Sequence, residues 1–188
     1  MQGAGSEVEI KFLVADLGGL EAKLRQAGFR LQTPRTHERN TLYDLPDHPL
    51  RDRGEVLRLR HYGDAWTVTH KSKAVDGRYK FRCEIETAVS DGEKLAAIFD
   101  SLGFVPSFCY EKYRSQWSEG PGQVVLDETP IGNFAEIEGP PEWIDRTAAR
   151  LGVRPSDYIT DSYVGLFVAW KRRTGNSAGE MTFAAVRA

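Results

Sequence analysis

The stretch Glu7-Val8-Glu9-Ile10-Lys11-Phe12, EVEIKF, alternates charged and apolar residues without a break. Successive side chains of a β-strand point to opposite faces. Glu7, Glu9 and Lys11 therefore share one face, and Val8, Ile10 and Phe12 share the other. Taken alone, this is an antiparallel strand with one packed face and one solvated face.

The same pattern returns in strand after strand. In VLRLR, Arg58 and Arg60 oppose Leu57 and Leu59. In WTVTHKSK, Lys71 and Lys73 oppose Trp66, Val68 and His70. In RYKFRCEIE, Arg78, Lys80, Arg82, Glu84 and Glu86 oppose Tyr79, Phe81, Cys83 and Ile85. Lys112 and Arg114 oppose Tyr113 and Trp117, Asp127 opposes Leu126, and Glu136 and Glu138 oppose Ala135 and Ile137. A solvated sheet face ordinarily mixes sizes and avoids like charges side by side. Here long cations stand at i, i+2 and i+4. Either the sheet is open with this face in water, or it curls so that the charged face lines a barrel. A lining that mixes many cations with clustered carboxylates suits a polyanion together with hard cations. Lys and Arg neutralise phosphate oxygens. Carboxylates clustered without His or Cys favour Mg²⁺ or Mn²⁺ over zinc. On this reading Glu7 and Glu9 are metal ligands and Lys11 is a phosphate ligand.

The bulk properties exclude several classes. The 188 residues predict one domain with a sizeable core, and a net charge of −2 gives no global pull toward nucleic acid or a lipid surface. Acids interleaved with the cations would also repel a nucleic-acid backbone. No apolar run approaches the ~20 residues of a membrane span. The start MQGAGSEVEI does not read as a secretory signal. Cys83 and Cys109 have no metal or disulfide spacing, which fits a reduced cytoplasm. Cys83, between Phe81 and Ile85, reads as a small core residue.

Two passages resemble each other: EVEIKF followed by DLGGLEAKLRQAGF, and RCEIET followed by SDGEKLAAIFDSLGF. Each is a strand and then an amphipathic helix, with buried stripes expected at Leu17, Leu20, Leu24 and Ala27, and at Leu95, Ile98, Phe99 and Leu102. Ser90 or Asp91 is the expected cap of the second helix, and Gly28 and Gly103 the helix stops. Pseudo-twofold construction follows. Other strands are expected at Thr41–Tyr43, Glu55–Tyr62, Ala65–Lys73, Arg78–Glu86, Tyr110–Trp117, Gln123–Asp127 and Phe134–Glu138. One helix is expected from Pro140-Pro141, burying Trp143, Ile144, Ala148 and Leu151. Another is expected with Ser156 as cap, burying Ile159, Tyr163, Leu166, Phe167 and Trp170.

These marks resemble the CYTH superfamily, the triphosphate tunnel metalloenzymes, which include class IV adenylate cyclases and thiamine and inorganic triphosphatases. The resemblance rests on E-x-E-x-K (Glu7, Glu9, Lys11), R-x-R (Arg58, Arg60), a lone Lys strand (Lys71), R-x-E-x-E (Arg82, Glu84, Glu86), K-x-R (Lys112, Arg114), Asp127 and a late E-x-E (Glu136, Glu138). It spans roughly Glu7 to Trp170. It implies an α+β fold: a closed eight-stranded antiparallel tunnel with a charged interior and helices outside. The implied domain covers 6–172, with 173–188 a flexible tail. It implies triphosphate held by Lys11, Arg58, Arg60, Lys71, Arg82, Lys112 and Arg114, which would also serve catalysis. It implies Mg²⁺ or Mn²⁺ held by Glu7, Glu9, Asp127, Glu136 and Glu138, with Glu84 and Glu86 less firmly assigned. LGFVPSFCYEKYRSQW and IGNFAEIEG are similar to class IV cyclase-like members.

The expected function is metal-dependent hydrolysis of a small-molecule triphosphate, because every inward residue is assigned to phosphate or metal and none to adenine. The alternatives are cyclisation of ATP to cyclic AMP and pyrophosphate, and a non-catalytic polyphosphate-binding module; the retained carboxylates argue against the last. A homodimer stays open. Lys73, Arg78 and Lys80 belong either to the lining or to solvent, as does Arg39. The histidines lack ligand spacing, and Ser162 and Tyr163 receive no role. If the lining cations repel one another, removing Arg58, Arg82 or Arg114 is expected to raise thermal stability without ligand.

Overall fold

The computed structural model describes residues 5–75 and 77–187. Eight strands form a closed antiparallel barrel: β1 Gly5–Leu13, β2 Arg30–Asp44, β3 Val56–Tyr62, β4 Ala65–Lys71, β5 Lys80–Val89, β6 Val105–Glu119, β7 Gly122–Thr129 and β8 Gly132–Glu138. The order around the barrel is β1-β5-β4-β3-β2-β6-β7-β8. Exchanging β1–β4 with β5–β8 returns the same set of neighbours, so the barrel has the twofold construction the repeated passages predict.

The helices are α1 Leu17–Gln26, α2 Pro49–Asp52, α3 Gly92–Ser101, α4 Pro141–Leu151, α5 Tyr163–Thr174 and α6 Phe183–Arg187. The first helix of each half is built alike. The Asp16 carboxylate accepts from Gly19 N–H on α1, and the Asp91 carboxylate from Lys94 N–H on α3. Such caps satisfy donors that a helix start leaves open. Gly28 and Gly103 follow the two helices at φ +85°, a region that only glycine enters without strain.

The main core lies outside the barrel. Leu20 and Leu24 of α1 and Trp143, Ile144, Ala148 and Leu151 of α4 pack on Ile10, Phe12, Trp117, Val124, Leu126, Ala135 and Ile137, the outward residues of β1, β6, β7 and β8. A second cluster joins Tyr163 and Phe167 of α5 to Tyr110, Phe134 and Met181. The first cluster needs the charged residues to face inward, which decides for the closed barrel over the open sheet.

Several expectations change. The strand expected at Thr41–Tyr43 begins at Arg30, and its register with β6 shifts between Leu31 and Thr33 and again between Thr33 and Thr36. Pro34 and polar residues on both faces conceal it from a period-two reading. Ser162, not Ser156, caps the last long helix, accepting from Gly165 N–H, and Ile159 lies before that helix. Ile159 instead exchanges backbone hydrogen bonds with Lys11. On α3, Ile98 and Leu102 are 52% and 64% exposed, so the expected stripe is only partly covered. Cys83 is exposed on the outer face of β5 rather than a core residue.

The segment expected as a loose tail is packed. β7 ends opposite Tyr113, which leaves the β6 backbone open over Cys109–Glu111. Met181 N–H donates to Cys109 C=O at 3.1 Å, and Glu111 N–H donates to Met181 C=O at 3.0 Å. Met181 is fully buried, and Phe183 packs on Tyr113. An open strand edge beside an apolar cluster is a docking place that composition alone does not disclose.

Candidate active site

The barrel encloses a cavity of about 830 Å³. Its wall carries Lys11, Arg58, Arg60, Lys71, Arg82, Lys112 and Arg114 together with Glu7, Glu9, Glu136 and Glu138. Strand register explains the convergence. Lys11 pairs across with Glu136, Glu9 with Glu138 and with Lys80, and Glu7 with Arg82, so inward residues meet inward residues. Lys73, Lys80, Glu84 and Glu86 also line the cavity. Arg78 does not: it pairs outside with Asp145 on α4 at 2.8 Å. Arg39 likewise faces outward and meets Glu111 at 3.3 Å.

The cations are not left to repel one another. Arg114 grips Asp127 with two bonds, Nε to Oδ1 at 2.6 Å and Nη2 to Oδ2 at 2.5 Å, and reaches Glu136 Oε2 at 2.5 Å. Lys112 donates to Asp127 Oδ2 at 3.1 Å and lies 3.5 Å from Glu38. Lys11 pairs with Glu136, Lys80 with Glu9, and Lys71 with Glu84. Glu86 receives Arg58 and Arg60, each at 3.2 Å. Arg82 differs: its donors go to the Ser72 and Gly54 carbonyls at 2.8 and 2.9 Å. Burial pushes its pKa down. The expectation that losing any of Arg58, Arg82 or Arg114 relieves repulsion therefore does not suit Arg114, which holds the buried Asp127 and Glu136, nor Arg58, which is paired with the more exposed Glu86.

Asp127, expected as a metal ligand, lies behind the cavity wall with no exposure. It accepts from Arg114 twice, from Lys112, and from the Tyr163 hydroxyl at 2.5 Å. Three of these donors converge on Oδ2 and one on Oδ1. Its position makes it the anchor of Arg114 and Lys112 rather than a ligand facing the cavity.

Glu38 has no place among the sequence-derived candidates, and Tyr163 stands among them only as a buried helix residue without a role. Glu38 lies fully buried, two residues before the equally buried Asn40, whose amide donates to it at 2.8 Å. The alternation of Glu38, Asn40 and Leu42 was the available signal. Burial pushes the Glu38 carboxyl up, but Lys112 and Arg114 overcome this and hold it down at about 2. A carboxyl lowered on folding contributes stability above its unfolded value, and loses it as pH falls toward the folded value. Glu38→Gln is thus expected to be less stable than wild type at pH 7, with the gap closing as pH drops below about 4.5. Urea midpoints across that range measure it; a gap that does not shrink would assign the loss to something other than charge.

No ready-made cage of three or more His, Cys, Asp or Glu is present among the described residues. Mg²⁺ does not require one, because it keeps several waters and takes one or two carboxylates plus substrate phosphates. The donors on this wall suit such an ion. Glu7 is pushed above the ordinary carboxylate range by burial and by contact with Glu84. Glu138 is pushed up by burial, with Glu7, Glu9 and Glu136 adding to it. Carboxylates raised by burial, and further by neighbouring acids, form a place where a divalent cation is favoured.

A family model for the CYTH domain matches residues 5–148. The chain belongs to the CYTH domain family. The CYTH match ends within α4, so α5 and the packed C-terminal segment lie beyond it. A Methanocaldococcus jannaschii protein named "putative adenylate cyclase" is 30% identical over 133 residues, covering 70% of this chain and 75% of that protein. Adenylate cyclase CyaB of Aeromonas hydrophila is 28% identical over 136 residues, covering 70% and 67%. A solved Hippeastrum protein, HpAC1, described as a "putative adenylyl cyclase" with a dominant triphosphatase activity, shares the CYTH fold at 19% identity. It has a TM-score of 0.64 and covers 87% of this chain and 95% of its own.

Proposed function

We propose that this CYTH chain is a divalent-metal-dependent enzyme that binds a triphosphate inside the barrel and hydrolyses it. The observation that carries this reading is one cavity within the barrel whose wall sets Lys11, Arg58, Arg60, Lys71, Arg82, Lys112 and Arg114 around the carboxylates of Glu7, Glu9 and Glu138. The cations take the non-bridging phosphate oxygens, where Arg makes bidentate contacts. Glu7, Glu9 and Glu138 are the residues that would hold Mg²⁺ or Mn²⁺. When bound, the ion stabilises charge on the phosphates during in-line displacement. Arg114, fixed by Asp127, presents its charge without reorienting, which is what electrostatic stabilisation of a transition state requires. In hydrolysis, water adds to the terminal phosphorus, the bond to the bridging oxygen breaks, and orthophosphate and the diphosphate leave.

A second reading, cyclisation of ATP, has a specific observation in its favour. Leu42, Val56, Phe108 and Val164 form an apolar part of the same cavity. The sequence reading left no residue for a base, and this lining offers one a place. The relatives named as adenylate cyclases favour it, and the triphosphatase activity of HpAC1 favours hydrolysis. Phosphorus NMR separates the two. Incubated with Mg²⁺ and then Mn²⁺, the protein is expected to release orthophosphate from tripolyphosphate, which has no ribose and cannot cyclise. Cyclic AMP formed from ATP faster than orthophosphate appears from tripolyphosphate would replace hydrolysis by cyclisation.

A further inference from the structure

Tyr163 is the first residue of α5, and it closes the barrel beside Lys11 and Lys112. Three independent contacts fix it. Its hydroxyl donates to Asp127 Oδ2 at 2.5 Å. Its ring stacks on Tyr110, with centroids 5.9 Å apart, and meets Phe134 edge-on at the same distance. The helix that carries it starts at the Ser162 cap, a few residues after Ile159 locks its backbone to that of Lys11.

The ring face is in use. The ammonium of Lys11 lies 4.5 Å from the ring centroid, and that of Lys112 lies 4.7 Å from it. One aromatic ring thus serves two buried lysines on different strands. An aromatic face attracts an ammonium through its quadrupole without giving it a counter-charge. Each ammonium also meets a carboxylate, Lys11 that of Glu136 and Lys112 that of Asp127, so the ring adds a second, uncharged contact that fixes where the ammonium stands. The hydroxyl meanwhile adds a donor to Asp127, which grips Arg114 and Lys112.

We propose that Tyr163 is a positioning residue for the triphosphate. Its ring orients the ammonium groups of Lys11 and Lys112 beside the cavity, and its hydroxyl braces the Asp127–Arg114 pair. This rests on the triphosphate reading above. It lies outside the stretch matched by the CYTH family model, which ends at residue 148.

The test uses calorimetry with tripolyphosphate and Mg²⁺ on wild type, Tyr163→Leu and Tyr163→Phe, with proton–carbon NMR of the lysine Cε groups. Tyr163→Leu removes the ring and is expected to weaken binding about tenfold. Tyr163→Phe keeps the ring and is expected to recover most of that loss. In wild type, the Cε protons of Lys11 and Lys112, assigned with Lys11→Arg and Lys112→Arg, are expected upfield of ordinary lysines because they sit over a ring. The shift should persist in Tyr163→Phe. Leucine binding as wild type does, phenylalanine losing as much as leucine, or unshifted lysine signals would each overturn the proposal. If wild type itself does not bind tripolyphosphate, the triphosphate reading fails, while the lysine signals still decide whether the ring holds these two side chains. If Tyr163→Leu does not fold, Tyr163→Phe and the wild-type spectrum decide alone.

Discussion

Arg114→Ala is expected to lower the melting temperature by about 10 °C or more, the reverse of what its neighbouring cations suggest. Lys112 and Arg114 stand on one strand face, and a reading of that face alone predicts relief when a charge is removed. The fold brings acids to them instead. Arg114 touches Asp127 through both oxygens, reaches Glu136, and lies 3.8 Å from Glu38. Asp127 and Glu38 have no exposure at all. Truncating Arg114 leaves Lys112, among the described residues, as the one cation within ion-pair reach of these two buried carboxylates, and breaking a buried pair in this way costs roughly 3–5 kcal/mol. For a domain of this size each kcal/mol corresponds to about 2–4 °C. Arg82→Ala is the control. Arg82 donates to the Ser72 and Gly54 carbonyls, and its removal strands no carboxylate. Thermal unfolding of the two variants side by side should separate them clearly. Equal melting temperatures would mean that the network around Arg114 contributes little.

That contrast marks what the sequence discloses. Alternation is a property of a single strand, so it assigns Glu7, Glu9, Lys11, Arg58, Arg60, Glu136 and Glu138 to the interior without knowledge of their neighbours. Register and strand order belong to pairs, and they decide that Lys11 faces Glu136 and that Glu9 faces Glu138. Where the period fails, the reading fails. Glu38 and Asn40 sit in a strand with polar residues on both faces and irregular register, so the alternation of Glu38, Asn40 and Leu42 does not stand out from T-P-R-T-H-E-R-N. Capping signals are local and can compete. Ser156 and Ser162 both precede plausible helical turns, and only the docking of Ile159 against Lys11 decides which one opens α5. The C-terminal segment is hardest, because its partner is the stretch of β6 left open where β7 ends.

Glu9→Gln is expected to reduce turnover of the proposed substrate by two orders of magnitude or more at saturating Mg²⁺, because a metal ligand acts on charge that develops in the transition state. Glu9 is 6% exposed and stands directly across from Glu138 in the β1–β8 pair. The substitution keeps the shape and removes the charge. It also frees Lys80, the partner of Glu9, inside the cavity. An extra uncompensated cation favours the polyanion, so tripolyphosphate should bind no more weakly without metal while turnover falls. This split identifies the role. A phosphate-binding residue would show the opposite pattern, with weaker binding and turnover partly recovered at high substrate. Calorimetry without metal and steady-state turnover with it measure the two halves. Undiminished turnover at saturating Mg²⁺ would remove Glu9 from the metal site and leave Glu7 and Glu138 to hold the ion.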